Sequence, residues 1–245
     1  MSDNAKVALV TGGARRIGAA IVRRLHEAGY RLVVHAHGSG PELAALCAGL
    51  EAARSGSTLA LHADLRDTTA PAALVQACLA RFGRLDALVC NASNFFPTPL
   101  AQATPEQWDA LLAVNARAPF FLAQAAAPAL RASGGSIVHL TDAALAHPLP
   151  AHGAYNAAKG ALSALTAALA VDLAPQVRVN AVAPGAILWP DAGKDDAARA
   201  EVLARTPLGR TGNAGEVAEA VRWLLDDATY LTGHTLALDG GRGLG

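Results

Sequence analysis

Short apolar segments alternate with longer helical segments along most of the chain. The first half predicts strands in KVALV, RLVVHAH, TLALHAD and LDALVCNA, with helices between them that begin near residues 15, 41 and 71. The second half predicts strands in GGSIVHL, VRVNAVAP and TLALDGG, and a long helix near residue 155. Strands that are apolar at nearly every position are buried on both faces, as in parallel sheets covered by crossover helices. The pattern therefore predicts an α/β fold with a doubly wound parallel sheet.

The length and the charge of the chain narrow its function classes. A chain of 245 residues suits one large domain better than two, so we expect a single domain over residues 1–245. Basic and acidic residues number 20 each, so no net field attracts nucleic acid or an anionic membrane. The chain shows no signal-peptide pattern and no apolar run of about eighteen residues, which favours a cytoplasmic protein. Cys47, Cys78 and Cys90 lack metal-ligand spacing, so we expect core cysteines and no metal site.

A glycine-rich turn follows the first predicted strand and leads into a helix. Residues 11 to 18 read TGGARRIG, and glycines there let backbone N–H groups approach a pyrophosphate at the positive end of the helix. Such a turn also occurs in proteins that bind no nucleotide, but its place in the first βαβ unit favours a dinucleotide site. The predicted cofactor contacts in the turn are Gly12, Arg15, Arg16, Ile17 and Gly18.

The end of the second predicted strand bears on the choice of cofactor. Sites that prefer NAD usually carry an acidic residue there, which binds the ribose 2′-hydroxyl. This chain has His35, His37 and Ser39 instead, and Arg15 and Arg16 stand in the neighbouring turn. Taken singly, each of these residues also suits an ordinary strand or helix start. Together they offer cations and hydroxyl donors to a 2′-phosphate, which predicts NADPH/NADP as the cofactor.

Two further strand ends carry residues suited to the same ligand. Asp64 and Leu65 follow the third strand, where a carboxylate can accept a hydrogen bond from the adenine amino group. Asn91, Ala92 and Ser93 follow the fourth strand, where small residues let the backbone approach a cofactor closely. Ligands of doubly wound sheets bind at the carboxyl ends of the strands, so we predict that these residues line the cofactor site.

Tyr155 and Lys159 are the candidate catalytic pair. Their spacing puts both side chains on one face of the predicted helix. A nearby ammonium favours phenolate, so we expect Lys159 to lower the pKa of Tyr155 from its ordinary value of about 10. The same spacing occurs by chance on many surface helices. Here the helix follows the strand GGSIVHL, which brings its first turn to the expected cofactor edge.

These motifs occur in a fixed order along the chain. The turn at residues 11–18, Asn91-Ala92-Ser93, Asn115, the Tyr155/Lys159 pair and Pro184-Gly185 together resemble the short-chain dehydrogenase/reductase family over essentially the whole chain. The resemblance implies a Rossmann-type sheet of about seven strands and hydride transfer from a bound nicotinamide. It also implies that Tyr155 donates a proton, and that Lys159 adjusts the pKa of Tyr155 and binds the ribose. Asn115 then belongs to a proton relay, and Pro184 and Gly185 belong to the cofactor site.

Three positions depart from the common pattern of that family. Asp142 stands where most members have a serine, Arg16 replaces the middle glycine of the turn, and Ser93 replaces a glycine. Together with HAHGS at residues 35–39 and NASNFFPTPL at residues 91–100, these departures resemble the pteridine reductases. Gly38 differs from that subgroup, because some of its members carry a basic residue there that assists with the 2′-phosphate.

The resemblance to pteridine reductases implies a substrate site. In such a site Phe95 stacks on a pterin ring, Arg16 faces the polar edge of the ring, and Ser93, Asp142 and Tyr155 complete the contacts. An ionised carboxylate repels the oxyanion that forms from a carbonyl, whereas a carboxyl group beside a phenol can help to protonate a ring nitrogen. Asp142 therefore favours reduction of a C=N bond in a dihydropterin to the tetrahydro form, with dihydrofolate as a further candidate substrate.

Two other functions stay open at this point. One is the carbonyl reduction or alcohol oxidation that is ordinary in this family, against which Asp142 argues. The other is dinucleotide sensing without catalysis, against which the intact Tyr155/Lys159 pair argues.

Two further expectations concern the second half of the chain. Residues 184–210 combine Pro, Gly and a charged helical segment, which predicts a substrate lid beyond the end of a strand. Residues 231–241 resemble the C-terminal strand of the family, which commonly lies at a tetramer interface. This resemblance implies a homotetramer.

Overall fold

The computed structural model describes residues 5–189 and 196–244. Its centre is a parallel sheet of seven strands, β1 Val7–Val10, β2 Arg31–Ala36, β3 Thr58–His62, β4 Ala87–Cys90, β5 Ser136–Leu140, β6 Arg178–Pro184 and β7 Thr235–Leu238. The strand order is β3-β2-β1-β4-β5-β6-β7, and every neighbouring pair is parallel. All seven predicted strands are present, so the Rossmann-type α/β fold is confirmed.

Helices cover both faces of this sheet. They are α1 Arg16–Glu27, α2 Gly40–Ala53, α3 Ala70–Phe82, α4 Pro105–Leu112, α5 Ala118–Ser133, α6 Gly153–Leu173, α7 Asp196–Ala204 and α8 Ala214–Asp226. A one-turn π-helix, Ala113–Arg117, joins α4 to α5, and short 3₁₀ turns occupy Ala143–Leu145 and Arg242–Leu244. Helix α4, the π-helix and α5 are not predicted from the sequence; α5 holds a proline at residue 128, and its apolar residues are not confined to one side of the helix.

The helical stretch Pro105–Ser133 is long and apolar enough to cross a membrane by length and composition alone. Of its most apolar window, 61% is buried inside the protein. The core helix of a globular domain passes the same test, so this stretch is weak evidence for a membrane span.

The core lies on the two faces of the sheet. Val7 and Leu9 point to the side covered by α3, α5 and α6, whereas Ala8 and Val10 point to the side covered by α1, α2 and α8. This alternation follows from the pleat of a strand, and both sets are apolar because both faces are buried. The three cysteines are buried and free, as the sequence predicts.

The strand order reverses direction between β1 and β4, and the residues after these two strands meet there. The N–H of Thr11 donates to the carbonyl of Val89 at 3.0 Å, and the N–H of Asn91 donates to the Thr11 Oγ1 at 3.1 Å. Open α/β sheets bind ligands at this switch point. The fold therefore brings the glycine-rich turn and the segment after β4 to one edge.

Candidate active site

The glycine-rich turn is shaped by close backbone contacts. Gly12 has a φ of +63°, and a Cβ on it would lie 2.8 Å from the Ala92 Cα. A Cβ on Gly18 would lie 2.0 Å from the Gly12 carbonyl oxygen. Arg16 has a φ of +52°, which explains why the family usually has glycine at this position. The turn thus combines two required glycines with one arginine held in the left-handed region.

The side chain of His35 forms a hydrogen bond with the backbone of the glycine-rich turn. Its ring is buried, its Nδ1 accepts from the Gly12 N–H at 3.3 Å, and its Nε2 donates to the Ala63 carbonyl at 3.0 Å. Burial lowers the pKa of His35, so the ring is neutral. The expectation that His35 offers a cation to a phosphate is therefore wrong. His35 lines the site through its ring, and it fixes the Gly12 backbone.

A cavity of about 680 Å³ opens between the turn and the ends of β2, β3 and β4. A dinucleotide fits such a site by the chemistry of its walls, because glycine backbone and a helix N-terminus face the space where phosphates bind. The lining contains all of the cofactor residues predicted before β5, namely Gly12, Arg15, Arg16, Ile17, Gly18, His35, His37, Ser39, Asp64, Leu65, Asn91, Ala92 and Ser93. It also contains Arg66 and Val114, which the sequence does not single out.

Asn91 and Asn115 hold the segment after β4. The Asn91 Nδ2 donates to the carbonyls of Thr11 and Gly12, both at 2.9 Å. Asn115 is fully buried in the π-helix, where its Nδ2 donates to the carbonyls of Asn94 and Leu111 and its Oδ1 accepts from the Ser93 hydroxyl at 2.7 Å. The side chain of Asn115 therefore positions the Ser93–Asn94 loop. A π-helix at a functional site is a recurring feature of enzymes.

Tyr155 and Asp142 form the closest polar contact of the site. The Tyr155 hydroxyl donates to the Asp142 Oδ2 at 2.5 Å, and the Asp142 Oδ1 accepts from the Ala144 N–H at 2.8 Å. Burial, the Asp142 charge and this hydrogen bond raise the pKa of Tyr155 above its ordinary value. The expectation that Lys159 lowers it is therefore wrong for this structure, because Tyr155 is 5% exposed and faces a carboxylate.

Lys159 lies beneath this pair. Its Nζ is 5.9 Å from the centroid of the Tyr155 ring and donates to the Leu140 carbonyl at 2.7 Å. Burial lowers the pKa of Lys159 to about 8. An ammonium held in this way can donate to the hydroxyl groups of a bound ribose, so its position suits the predicted role.

Phe95 belongs to an aromatic group that the sequence reveals only in part. Its ring stacks on that of His152 at 4.7 Å and 14°, and it meets the Tyr155 ring edge-on at 4.8 Å. His152 is fixed by its Nδ1, which lies 2.7 Å from the Pro150 carbonyl. His152 is not predicted from the sequence, although its position three residues before Tyr155 could have indicated it. Phe96 is partly buried and packs against the small apolar cluster that contains Tyr155.

The segment after β6 is described in part. Pro184 ends β6, and a Cβ on Gly185 would lie 2.7 Å from the Cα of Asp239, directly after β7, so close packing requires glycine here. Of the predicted lid at 184–210, residues 190–195 lie outside the described residues. The Arg16 Nη2 donates to the Trp189 carbonyl at 3.4 Å, and the Arg199 guanidinium lies 5.7 Å from the Trp189 ring. The residue Trp189 therefore contacts the glycine-rich turn through Arg16.

The sheet, the glycine-rich cavity at its switch point and the Tyr155/Lys159 pair beside that cavity together define an NAD(P)-dependent oxidoreductase. A family model described as enoyl-(acyl carrier protein) reductase matches residues 12–242. The chain belongs to this short-chain dehydrogenase/reductase family.

Known relatives of the chain act on different substrates. Pteridine reductase 1 of Leishmania tarentolae is 35% identical, over 99% of this chain and 98% of that protein. A protein of Streptomyces violaceoruber, named as a granaticin polyketide synthase ketoacyl reductase, is 40% identical over 98% and 97% of the two chains. A 3-oxoacyl-(acyl-carrier-protein) reductase of Staphylococcus aureus is 34% identical over 96% and 97%.

Proposed function

We propose that the protein reduces dihydropterins to tetrahydropterins with NADPH, by adding a hydride to carbon and a proton to nitrogen of a C=N bond. The observation that carries this proposal is the 2.5 Å hydrogen bond from Tyr155 to Asp142. A carboxylate beside the catalytic phenol disfavours an oxyanion but accepts and returns protons, as protonation of a ring nitrogen requires. The similarity to pteridine reductase 1 supports the same function.

The pair provides a route for the proton. Tyr155 is 5% exposed, whereas Asp142 is partly exposed, so Asp142 connects the buried phenol to solvent. The phenol is protonated at neutral pH even at its ordinary pKa of about 10, and the contacts that raise this pKa leave it so. A bound nicotinamide supplies the hydride when the cofactor site is filled. Tyr155 then gives its proton to the ring nitrogen and regains one through Asp142.

The walls of the site suit a flat, polar heterocycle. Phe95 is 55% exposed beside Tyr155, and such a face can stack on a planar ring. Arg16 lines the cofactor cavity, and in this proposal its guanidinium donates hydrogen bonds to the edge of the bound ring. In this proposal Ser93, held by Asn115, completes the substrate contacts.

The preference for NADPH is also part of the proposal. The end of β2 carries no carboxylate, and Arg15, His37 and Ser39 line the cavity there. Arg15 lies 3.8 Å from Glu42, a loose surface pair that a phosphate can displace. Gly38 adds no charge, so Arg15 and Ser39 carry the larger share of binding to the 2′-phosphate.

The decisive experiment is NADPH oxidation by the purified protein. Dihydrobiopterin, dihydromonapterin and dihydrofolate would be compared with simple ketones and a 3-oxoacyl thioester, each with NADPH and with NADH. Turnover of one or more pterins, with little turnover of ketones, supports the proposal. Absence of turnover with every dihydropterin would refute it.

Carbonyl reduction is the second candidate function. Its support is the similarity to two relatives named as reductases of 3-oxoacyl or ketoacyl groups. Turnover of the ketones or the thioester alone in the same assay would establish it.

We further propose a cytoplasmic homotetramer that binds neither nucleic acid nor membrane, and light scattering on the purified protein would test the tetramer.

A further inference from the structure

The start of α6, the helix that carries Tyr155, is capped from a distant part of the chain. Within the part of the chain that the structure describes, the side chain of the N-cap residue, His152, forms no hydrogen bond with the first turn of the helix. Its Nδ1 lies 2.7 Å from the Pro150 carbonyl instead. The first N–H groups of a helix have no acceptor within the helix itself. This helix therefore needs an acceptor from another segment.

Thr98 supplies that acceptor across a sequence separation of 56 residues. Its Oγ1 accepts from the N–H of Ala154, the second residue of α6, at 3.3 Å. A threonine at the N-cap position makes the same kind of bond to the second or third N–H of its own helix. Thr98 and Ala154 are both buried, so loss of the hydroxyl would leave a buried N–H without its acceptor.

The main chain of Thr98 fixes the segment before the helix. Its N–H donates to the Ala151 carbonyl at 2.6 Å, and Thr98 pairs with His152 as an isolated parallel β-bridge. Ala151 has a φ of +56°, a value that an L-residue keeps only where its surroundings enforce it. The backbone bond from Thr98 therefore helps to define how the chain enters α6.

The loop that ends at Thr98 also carries the exposed ring of Phe95. Phe95 lies three residues before Thr98, and its ring contacts those of His152 and Tyr155. Asn115 holds the other end of this loop through two hydrogen bonds. The loop with the exposed ring and the helix with the phenol are therefore joined at Thr98.

We infer that Thr98 is a positioning residue for the proton donor: its hydroxyl completes the first turn of α6 and thereby sets the place of Tyr155 relative to Phe95. Thr98 is not among the described residues that line the cofactor cavity, so it acts through the helix. A shift of the Phe95 loop then also shifts the phenol. The inference goes beyond the proposed function, because a proton from Tyr155 serves reduction of a C=N bond and of a carbonyl alike.

The test uses two substitutions at this one position. Thr98→Val keeps the shape of the side chain and removes the oxygen, whereas Thr98→Ser keeps the oxygen. Thr104→Val is the matched control, because the Thr104 Oγ1 caps α4 by accepting from the Gln107 N–H at the same 3.3 Å, on the surface of the protein. The values of kcat and KM would be measured with dihydrobiopterin and with a simple ketone. The dissociation constant of NADPH would be measured by cofactor fluorescence without substrate.

Thr98→Val should lower kcat by about tenfold and change the dissociation constant of NADPH by less than about twofold, because a small misplacement of the reacting phenol slows the reaction while the cofactor cavity stays intact. Thr98→Ser should keep kcat within about threefold of the wild type, since it can form the same bond. Thr104→Val should lower the melting temperature, as loss of any cap does, but leave kcat unchanged. The same pattern is expected with whichever substrate is reduced, so failure of the pterin proposal would not decide this one.

Hydrogen exchange tests the bond without any substrate. The Ala154 amide, resolved by mass spectrometry with fragmentation to single residues, should exchange slowly in the wild type and in Thr98→Ser, and at least about tenfold faster in Thr98→Val. Fast exchange of this amide in the wild type would overturn the inference, and that result stands even if Thr98→Val fails to fold. A folded Thr98→Val protein with unchanged exchange or wild-type kcat, or an equal loss of kcat in Thr98→Ser, would overturn it as well.

Discussion

The Tyr155 hydroxyl donates to the Asp142 carboxylate at 2.5 Å, across a sequence separation of 13 residues. This contact connects the end of β5 to the first turn of α6. It places an acidic group where the resemblance to the family implies a serine, and together with burial it raises the pKa of the Tyr155 phenol. The chemistry that the protein can perform therefore depends on this pair more than on the surrounding fold.

Asp142→Ser should separate the two candidate reactions. The variant loses the proton route but gains a hydroxyl that can donate to an oxyanion, so kcat/KM for a dihydropterin should fall by about 100-fold or more. Reduction of ketones should be unchanged or faster. Asp172→Asn, an exposed carboxylate change on the same helix as Tyr155, serves as the control and should alter neither reaction. Equal loss of both activities in Asp142→Ser would contradict the proposed role.

The lowered pKa of Lys159 predicts a fall in activity at alkaline pH. Burial brings this pKa to about 8, so the ammonium proposed to bind the ribose is present below that pH and is lost as the pH rises through it. The value of kcat/KM should therefore decrease above pH 8, and steady-state rates measured from pH 6 to 10 would test this. Arginine keeps its charge over this range, so Lys159→Arg should be slower but lack the decrease. A wild-type profile that stays flat to pH 10 would refute this assignment.

The aromatic stack between Phe95 and His152 should be needed for tight binding of a flat substrate. His152→Ala leaves one face of Phe95 unsupported, and aromatic pairs contribute about 0.5–1.5 kcal/mol, so KM for a dihydropterin should rise by about two- to tenfold. The value of kcat should change little, because the proton route is intact. His152→Phe keeps the stack and should restore KM. If KM for a dihydropterin rises as much in His152→Phe as in His152→Ala, the ring stack does not account for the change in KM.

The sequence predicts the fold well because each strand carries its own signal. Strands buried on both faces are continuous apolar runs. Gly12 and Gly18 can be recognised from the sequence because a side chain at either position would clash with nearby backbone. The shape of the cavity follows from the topology once the turn is located.

Contacts between side chains from distant elements escape the same reasoning. The sequence places Lys159 one helical turn from Tyr155, but it does not show that the phenol is buried against Asp142, which reverses the direction of its pKa shift. It also does not show that the His152 ring stacks on Phe95 or that Arg66 forms an ion pair with Asp64. Ion pairing and ring stacking depend on three-dimensional placement, which no local pattern encodes.

Arg16 holds a strained backbone position, which predicts opposite effects on stability and binding. An L-residue in the left-handed region costs roughly 1 kcal/mol relative to glycine, and the φ of Arg16 is +52°. Arg16→Gly should therefore raise the free energy of unfolding by up to about 1 kcal/mol in urea titrations, while KM for a dihydropterin rises because the donors at the ring edge are lost. Arg16→Ala is the matched control, because it removes the same side chain and keeps the strain. It should show the same rise in KM without the gain in stability. A gain in stability of equal size in both variants would mean that the side chain, and not the backbone, is the source of strain.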